Sequence, residues 1–406
     1  VAPACQPGRE RLVYRRVGRY EEPDEMHPLI SDELKEFIDS VRAFRLRELM
    51  PLEQQFLLDG GWTPEVRNGL EERARKLGFW ALDVPVEDGG QGLDELAMCL
   101  VAEELYQHPG MFEFGGSPEP ALYFCNEEQK KEYYYPVIAG QRRSAYAFTE
   151  PDTGSDFARI TTTAKRDGDD WIINGRKMFI SHLDRADFII LFVSTDPSAG
   201  ARGVSCFLVD KDTPGLDWSR PIRTMGDDWT PHEIIFDNCR VPGANLLGEL
   251  NGGFAIANHQ LTHGRIRIAA YQLGIAQRSL DLAVEWAKVR TTWGKPIATR
   301  QAIQWMIADS YVELEAARGL VYTAAAQFGR TKADMRSAFV AKLYATEMAQ
   351  RVTDRCMQIF GGLGYALENP IQSFFRQVRL WRIGHGTSEI HRWMIARDIL
   401  GLSANA

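Results

Sequence analysis

The spacing of apolar residues changes twice along the chain. From Ile30 it is helical: Ser31-Asp32-Glu33-Leu34 opens a helix, and Leu34, Phe37, Ile38, Val41, Phe44 and Leu46 follow at helical intervals. Further helices are expected around 63–77, 91–107 and 126–140, punctuated by Gly78–Pro85 and by Asp88-Gly89-Gly90-Gln91-Gly92. From Ser144 to about 240 the period drops to about two. Thr161–Lys165, Trp171–Gly175, Phe188–Val193 and Val204–Val209 alternate with turn residues such as Asp167-Gly168-Asp169, Asn174-Gly175 and Pro197–Gly200. This predicts a small antiparallel β domain. From Gly252 the helical period returns, with helices expected over 252–290, 299–329, 331–361, 370–381 and 387–399. Their length and short connections predict an antiparallel bundle. The fold class is therefore α+β and mainly α, in the order α, β, α. Its divisions are an N-terminal arm over 1–28, then 29–143, 144–248 and 249–406.

Composition narrows the function. At 406 residues the chain is long enough for two or three packed domains, and 45% hydrophobic and 25% charged residues are ordinary for a globular protein. A formal net charge of −8 argues against a nucleic-acid partner. No apolar run reaches the roughly 18 residues of a membrane span, and the first residues lack the apolar core of a secretory signal. Six scattered cysteines without a Cys-x-x-Cys fit reduced thiols and a cytoplasmic location. The eight histidines show no metal-binding spacing, so no metal is expected.

Four stretches carry candidate chemistry. Tyr146-Ala147-Phe148-Thr149-Glu150-Pro151-Asp152-Thr153-Gly154-Ser155-Asp156 takes a strand edge into a turn rich in hydroxyls and backbone N–H groups, suited to a planar heteroaromatic ring. Trp171–Ser181 is a hairpin ending in an aromatic residue and a hydroxyl. Arg290-Thr291-Thr292-Trp293-Gly294-Lys295-Pro296-Ile297 combines cations and hydroxyls suited to a pyrophosphate, or is a helix end whose cations complement the dipole. Arg382-Ile383-Gly384-His385-Gly386-Thr387-Ser388-Glu389 places a histidine between two glycines, just before a helix that Thr387 or Ser388 is expected to cap. Read locally, His385 is either a loop residue beside a cap or a group that another molecule approaches closely.

Together these stretches resemble the acyl-CoA dehydrogenase family. The resemblance runs from about Leu29 to Leu400. It rests on five motifs in order: Thr149-Glu150-Pro151-x-x-Gly154-Ser155-Asp156; Asn174-Gly175-x-Lys177-x-Phe179-Ile180-Ser181; Arg290-x-Thr292-Trp293-Gly294-Lys295-Pro296-Ile297; Gln358-Ile359-Phe360-Gly361-Gly362-x-Gly364; and Gly386-Thr387-Ser388-x-Ile390-x-Arg392. It implies an N-terminal helical domain, a middle β domain and a C-terminal four-helix bundle. FAD is implied between the latter two, with an acyl-CoA substrate, electron-transfer flavoprotein as acceptor and a homotetramer built as a dimer of dimers. By position, Tyr146, Phe148, Thr149, Phe179 and Ser181 are implied at the flavin, and Gly154 and Ser155 near its phosphates or the ligand. Arg290, Thr292, Trp293, Gln358 and Gly362 are implied to hold a neighbouring subunit's FAD, with Thr387 and Glu389 returning to the first subunit's cofactor. Ser155, Arg265 and Gly386 are implied at the substrate.

The departure from the family lies at the base. The glutamate usual just before Gly-Thr is His385 here, and the bundle glutamate of a subgroup is Gly264, just before Arg265. An imidazole with an ordinary pKa of roughly 6.5 is able to accept the α-proton near working pH. His385 is thus expected as the general acid or base, or as a substrate-orienting or inert replacement. Glu113 and Glu119 are either relocated bases or solvated loop carboxylates, and His263 reads as a helix-face contact. Three activities stay open: dehydrogenation of an acyl-CoA, altered flavin chemistry such as enoyl-CoA reduction, desulfination or oxidation of a non-CoA substrate, and a silent partner subunit.

Overall fold

A computed structural model describes residues 30–227, 230–330 and 334–402. The arm expected over 1–28 lies outside the described residues. Helix α1 (Asp32–Phe44) starts where Ser31 Oγ accepts the Leu34 N–H at 3.2 Å. A short α2 (Glu53–Asp59), not anticipated from the pattern, ends at Gly60, whose φ of +71° suits the stop. Thr63 caps α3 (Pro64–Lys76) and Asp94 caps α4 (Glu95–Leu105). The helix expected over 126–140 is broken into Glu127–Gln129, a wider turn at Lys130–Tyr134 and Tyr135–Ile138. Pro136 is the reason, because it has no N–H to continue a regular ladder.

The middle domain is one twisted sheet. Its strands are β1 (Ser144–Ala147), β2 (Thr163–Asp167), β3 (Asp170–Ile180), β4 (Phe188–Ser194), β5 (Val204–Asp210), β6 (Leu216–Pro221), β7 (His232–Pro242) and β8 (Leu246–Leu247). They lie in the order β6-β7-β3-β2-β4-β5-β8, with β1 beside β4. The expected antiparallel domain needs correction at two pairings. β1 runs parallel to β4, Ala145 opposite Ile189, and β2 also meets β4 in parallel, Thr163 opposite Ser194. The period of two also fails in β4, where every residue is buried. Phe188, Ile190 and Phe192 join Tyr133, Tyr134 and Ile256 on one face, while Ile189, Leu191 and Val193 meet Trp171, Phe207 and Ile234 on the other. A strand covered on both faces reads as an unbroken apolar run.

The C-terminal part holds α5 (Gly253–Val289), α6 (Gln301–Gln327), α7 (Asp334–Phe360), α8 (Pro370–Trp381) and α9 (Ser388–Ile399). α5 is its axis. Fully buried alanines such as Ala269, Ala276, Ala345 and Ala349 let α5 and α7 approach closely. On its other side α5 meets α4 at Gly274, where a Cβ would lie 2.2 Å from the Glu103 carbonyl oxygen. One core therefore joins the N-terminal helices to the bundle. Among the described residues, no helix is long and apolar enough to cross a membrane.

Candidate active site

The loop between α8 and α9 places His385. The Ile383 and Gly384 N–H groups both donate to the Leu380 carbonyl, at 2.8 and 2.9 Å, and close α8. His385 and Gly386 then take φ values of +55° and +94°, two successive left-handed residues that reverse the chain. Glycine is required at 386, since a Cβ there would sit 2.9 Å from His391 Nε2. Of the two expected caps, Thr387 is the one used: its Oγ1 accepts the Ile390 N–H at 3.3 Å.

The loop is held from below through its carbonyls. Lys342 Nζ donates to Gly386 O at 2.7 Å. Arg265 Nε and His391 Nε2 reach His385 O at 3.3 and 3.2 Å. Both cations are buried, and their surroundings disfavour the charge. Burial, then the Arg265 charge, pushes the Lys342 ammonium down to about 7. Burial alone brings the Arg265 guanidinium down to about 10. Arg265 lies over the Phe339 ring at 4.6 Å, and its Nη1 has no hydrogen-bond partner among the described residues. Arg265, expected at the substrate, holds the loop from beneath.

Fixed this way, the His385 ring points toward β1 and α5. Its Nε2 is 2.6 Å from the Tyr146 hydroxyl, and Nδ1 is covered and without a partner among the described residues. The ring occupies the place a side chain at 264 would need, for a Cβ on Gly264 would lie 2.6 Å from both Cε1 and Nδ1. Burial, then the Arg265 and Lys342 charges, pushes the imidazole down to about 3. The near-neutral titration expected from an ordinary histidine is thereby corrected: His385 is uncharged throughout the neutral range. Burial first, then Glu119 and Glu113, pushes the Tyr146 phenol above its ordinary value, so it keeps its proton.

The expected flavin residues lie on β1, β3 and the loop after β1. Phe179 adopts φ +59°, rare for an aromatic residue, and is 53% exposed. A strained, exposed ring beside Ser181 and the Thr149 backbone fits a flat heteroaromatic cofactor. Gly154 and Ser155 are exposed, and nothing lies within 4 Å of a Cβ built on Gly154. The Thr149 loop is rigid underneath. Met178 N–H donates to Thr149 O at 2.8 Å, and fully buried Lys177 donates to Phe148 O at 3.0 Å and to Glu150 at 2.8 Å. Glu150 also accepts from the Thr161 and Thr162 N–H groups, at 2.6 and 3.0 Å. Burial raises the Glu150 carboxyl, but Lys177 and these hydrogen bonds outweigh it and bring the group down to about 2.

The other expected cofactor residues form a separate group. Trp286 near the end of α5 stacks on Phe360 at the end of α7, with centroids 5.4 Å apart. Arg290, Thr292 and Trp293 therefore lie at the same bundle end as Gln358 and Gly362. Trp293 is 90% exposed with φ +48°, and Tyr365, three residues after Gly362, is 84% exposed. At a rise of about 1.5 Å per residue, Gly264 and Arg290 stand about 39 Å apart along α5. Thr387 and Glu389 stay with the His385 loop, at the start of α9.

The carboxylates near the site differ. Glu113 accepts the Tyr106 hydroxyl at 2.8 Å. Glu119 is half-buried and accepts from Gln260 Nε2; burial pushes its carboxyl up to about 7, against the effect of that hydrogen bond. His263 faces Glu95 at 3.5 Å and Phe328, as a helix-face contact. Among the described residues, no group of three His, Cys, Asp or Glu side chains is arranged to hold a metal ion.

Sequence comparison agrees with this architecture. The profiles "Acyl-CoA dehydrogenase, N-terminal domain", "middle domain" and "C-terminal domain" match residues 31–141, 145–239 and 251–400. The 3-(aryl)acrylate reductase of Clostridium sporogenes is 37% identical over 366 residues, which are 88% of this chain and 96% of that protein. The butyryl-CoA dehydrogenase of Megasphaera elsdenii superposes with a TM-score of 0.84 at 32% identity, covering 92% of this chain and 100% of that one. A chain solved in work on the electron transferring flavoprotein of Acidaminococcus fermentans has a TM-score of 0.84 and 34% identity, with coverage of 92% and 100%. The chain belongs to the acyl-CoA dehydrogenase family, FAD-dependent oxidoreductases that act on the CH–CH groups of acyl-CoA.

Proposed function

We propose that the protein interconverts an acyl-CoA thioester and its 2-enoyl-CoA, with His385 handling the α-proton. FAD, when bound, takes up or supplies the second hydrogen with its electron pair. The observation that carries this reading is the left-handed His385 turn, seated against Gly264 with Nε2 at 2.6 Å from Tyr146.

Tyr146 sets the tautomer. With Nε2–H donating to Tyr146 Oη, the covered Nδ1 beside Gly264 keeps its lone pair. The other tautomer leaves a buried N–H without an acceptor, the costlier of the two defects. Proton uptake by a ring held at about 3 is uphill in the resting site. Negative charge growing on the thioester oxygen reverses part of that cost, and Arg265 and Lys342 beneath the loop favour the same negative charge. Ser155 and Gly386 are the proposed substrate contacts, and Arg265 serves the substrate through the loop it holds.

For the cofactor, Tyr146, Phe148, Thr149, Phe179 and Ser181 take the flavin ring, Gly154 and Ser155 its phosphate side, and Thr387 and Glu389 close over it. Arg290, Thr292, Trp293, Gln358 and Gly362 are too far along α5 to reach the same dinucleotide, so they serve a neighbouring subunit's FAD in a tetramer. Electron-transfer flavoprotein is the proposed acceptor and the cytoplasm the proposed location.

A second reading, enoyl reduction, is favoured by the Tyr146 hydroxyl, which keeps its proton beside His385. The relative named as a 3-(aryl)acrylate reductase supports it. Anaerobic titration with a series of acyl-CoAs tests both: bleaching of the flavin supports oxidation. Failure of every acyl-CoA to bleach, with reoxidation of the reduced protein by an enoyl-CoA or arylacrylate, moves the assignment to reduction. No response in either direction contradicts both.

A further inference from the structure

We propose that the cavity between α5 and segment 117–121 is a subsite for a positively charged acyl terminus, so that the substrate is an acyl-CoA ending in an ammonium group. The inference rests on the acyl-CoA chemistry proposed above and names its substrate class. The cavity measures about 160 Å³, and Asp83, Glu95, Arg267, Tyr123 and Phe328 line it. A space of this size takes a group as large as benzene. Its position follows from two pins. Ser117 Oγ donates to Asp83, which pairs with Arg267 at 2.7 Å. Four residues on, the Ala121 N–H donates to Gln260 Oε1 at 3.0 Å, where Gln260 Nε2 also clamps Glu119. Pro118 and Pro120, between the pins, line the cavity as well. The segment therefore crosses α5 between Gln260 and Arg267, and Gly264, with the His385 ring seated against it, lies between those two residues. Gly264 and Arg267 are three residues apart on one helix, which puts their β-positions about 5–6 Å apart. From the α-carbon of a four-carbon acyl chain to a nitrogen at its end is three bonds, about 4 Å by ordinary bond lengths. A chain whose α-carbon meets the His385 loop reaches the cavity with its terminus.

The ion pairs decide the sign of the charge that fits. Arg267 reaches Asp83 at 2.7 Å and Glu95 at 3.2 Å, so two carboxylates share one guanidinium. Burial raises both carboxyls, but Arg267 outweighs it and holds each below its ordinary value, which leaves both ionised. Asp83, Glu95 and Arg267 together therefore carry one negative charge in excess, and their carboxylate oxygens keep lone pairs to spare. A cation in the cavity offsets that charge. An acyl carboxylate meets it as repulsion, and finds the guanidinium already occupied on both sides. Tyr123 and Phe328 add aromatic rings, the surface that suits a quaternary ammonium. His263, on the same helix, also lines the cavity and faces Glu95 at 3.5 Å.

Anaerobic calorimetric binding to the FAD-loaded protein tests this with γ-trimethylammoniobutyryl-CoA, its tert-butyl isostere with carbon in place of nitrogen, and glutaryl-CoA. The ammonium thioester is expected to bind at least about tenfold tighter than the isostere, the opposite of what a merely apolar pocket prefers. Glutaryl-CoA is expected to bind weakest. Glu95→Gln removes the excess charge and is expected to erase the preference, with flavin reduction by butyryl-CoA unchanged. Tyr123→Leu leaves the ion pairs in place and is expected to lower the preference severalfold. The wild-type comparison decides the matter even where a variant does not fold. An isostere bound as tightly as the ammonium thioester overturns the proposal, and so does glutaryl-CoA bound tightest or a full preference in folded Glu95→Gln. Bleaching by butyryl-CoA without any preference for the cation defeats the subsite alone. If none of the thioesters binds, the proposed function fails and the subsite with it.

Discussion

A Cβ on Gly264 would lie 2.6 Å from Cε1 and Nδ1 of His385, so a side chain at 264 and the His385 ring compete for one space. Gly264→Ala is expected to destabilise the fold by about 1–3 kcal/mol, the usual cost of overpacking. In a His385→Ala background the same change should cost little. Urea unfolding of the four proteins measures the coupling. An equal penalty in both backgrounds contradicts the steric account.

The Lys177–Glu150 pair should behave as a buried ion pair under the flavin loop. Both side chains are essentially inaccessible and 2.8 Å apart. Lys177→Met strands the carboxylate and is expected to cost about 3–5 kcal/mol. It should also weaken FAD retention, because the same Nζ fixes the Phe148 carbonyl. Urea midpoints and FAD dissociation constants check the two effects. Unchanged FAD affinity contradicts the proposed coupling of this pair to the cofactor loop.

Stability should fall steeply in mild acid. Burial pushes His385, His391 and His108 each down to about 3. Unfolded imidazoles titrate near 6.5, so the unfolded chain binds the extra protons. The stabilising effect of the neutral rings is complete above that value and is lost as pH falls toward 3. Each ring contributes about 1.4 kcal/mol per pH unit below roughly 6. His108→Asn should lower the measured slope by about that amount. A slope equal to the wild type's contradicts the assignment for His108.

Trp293, 90% exposed at the far end of α5, is expected to be an assembly residue. Trp293→Ala and Arg290→Ala should reduce both oligomer size in sedimentation and FAD affinity, with secondary structure unchanged. A tetramer with undiminished FAD binding in both variants contradicts the neighbour's role given to this end of the bundle.

The helix starts at Ser31 and Thr387 were legible because their capping chemistry is local. The β4 run was legible as a strand, but its alternation was not, because the covering of its second face depends on elements distant in sequence. The break at Pro136 was readable from its missing N–H, yet the helical spacing around it masked it. His385 was identifiable from its motif. Its state was not, because the burial and the charges of Arg265 and Lys342 that set it arise only on folding. Tyr146 as its partner, Lys177 under Glu150 and the Gln260 clamp on Glu119 join residues 239, 27 and 141 positions apart, beyond any local pattern.

The central claim is that His385 carries the α-proton, and single-turnover flavin reduction by an acyl-CoA tests it most directly. Wild type and His385→Gln are compared across roughly pH 6–9, a window around neutral. The expected result is a rate lowered by roughly 10²–10⁴ in the variant at every pH, with FAD still bound. Coincident rates for the two proteins across the window would contradict the account.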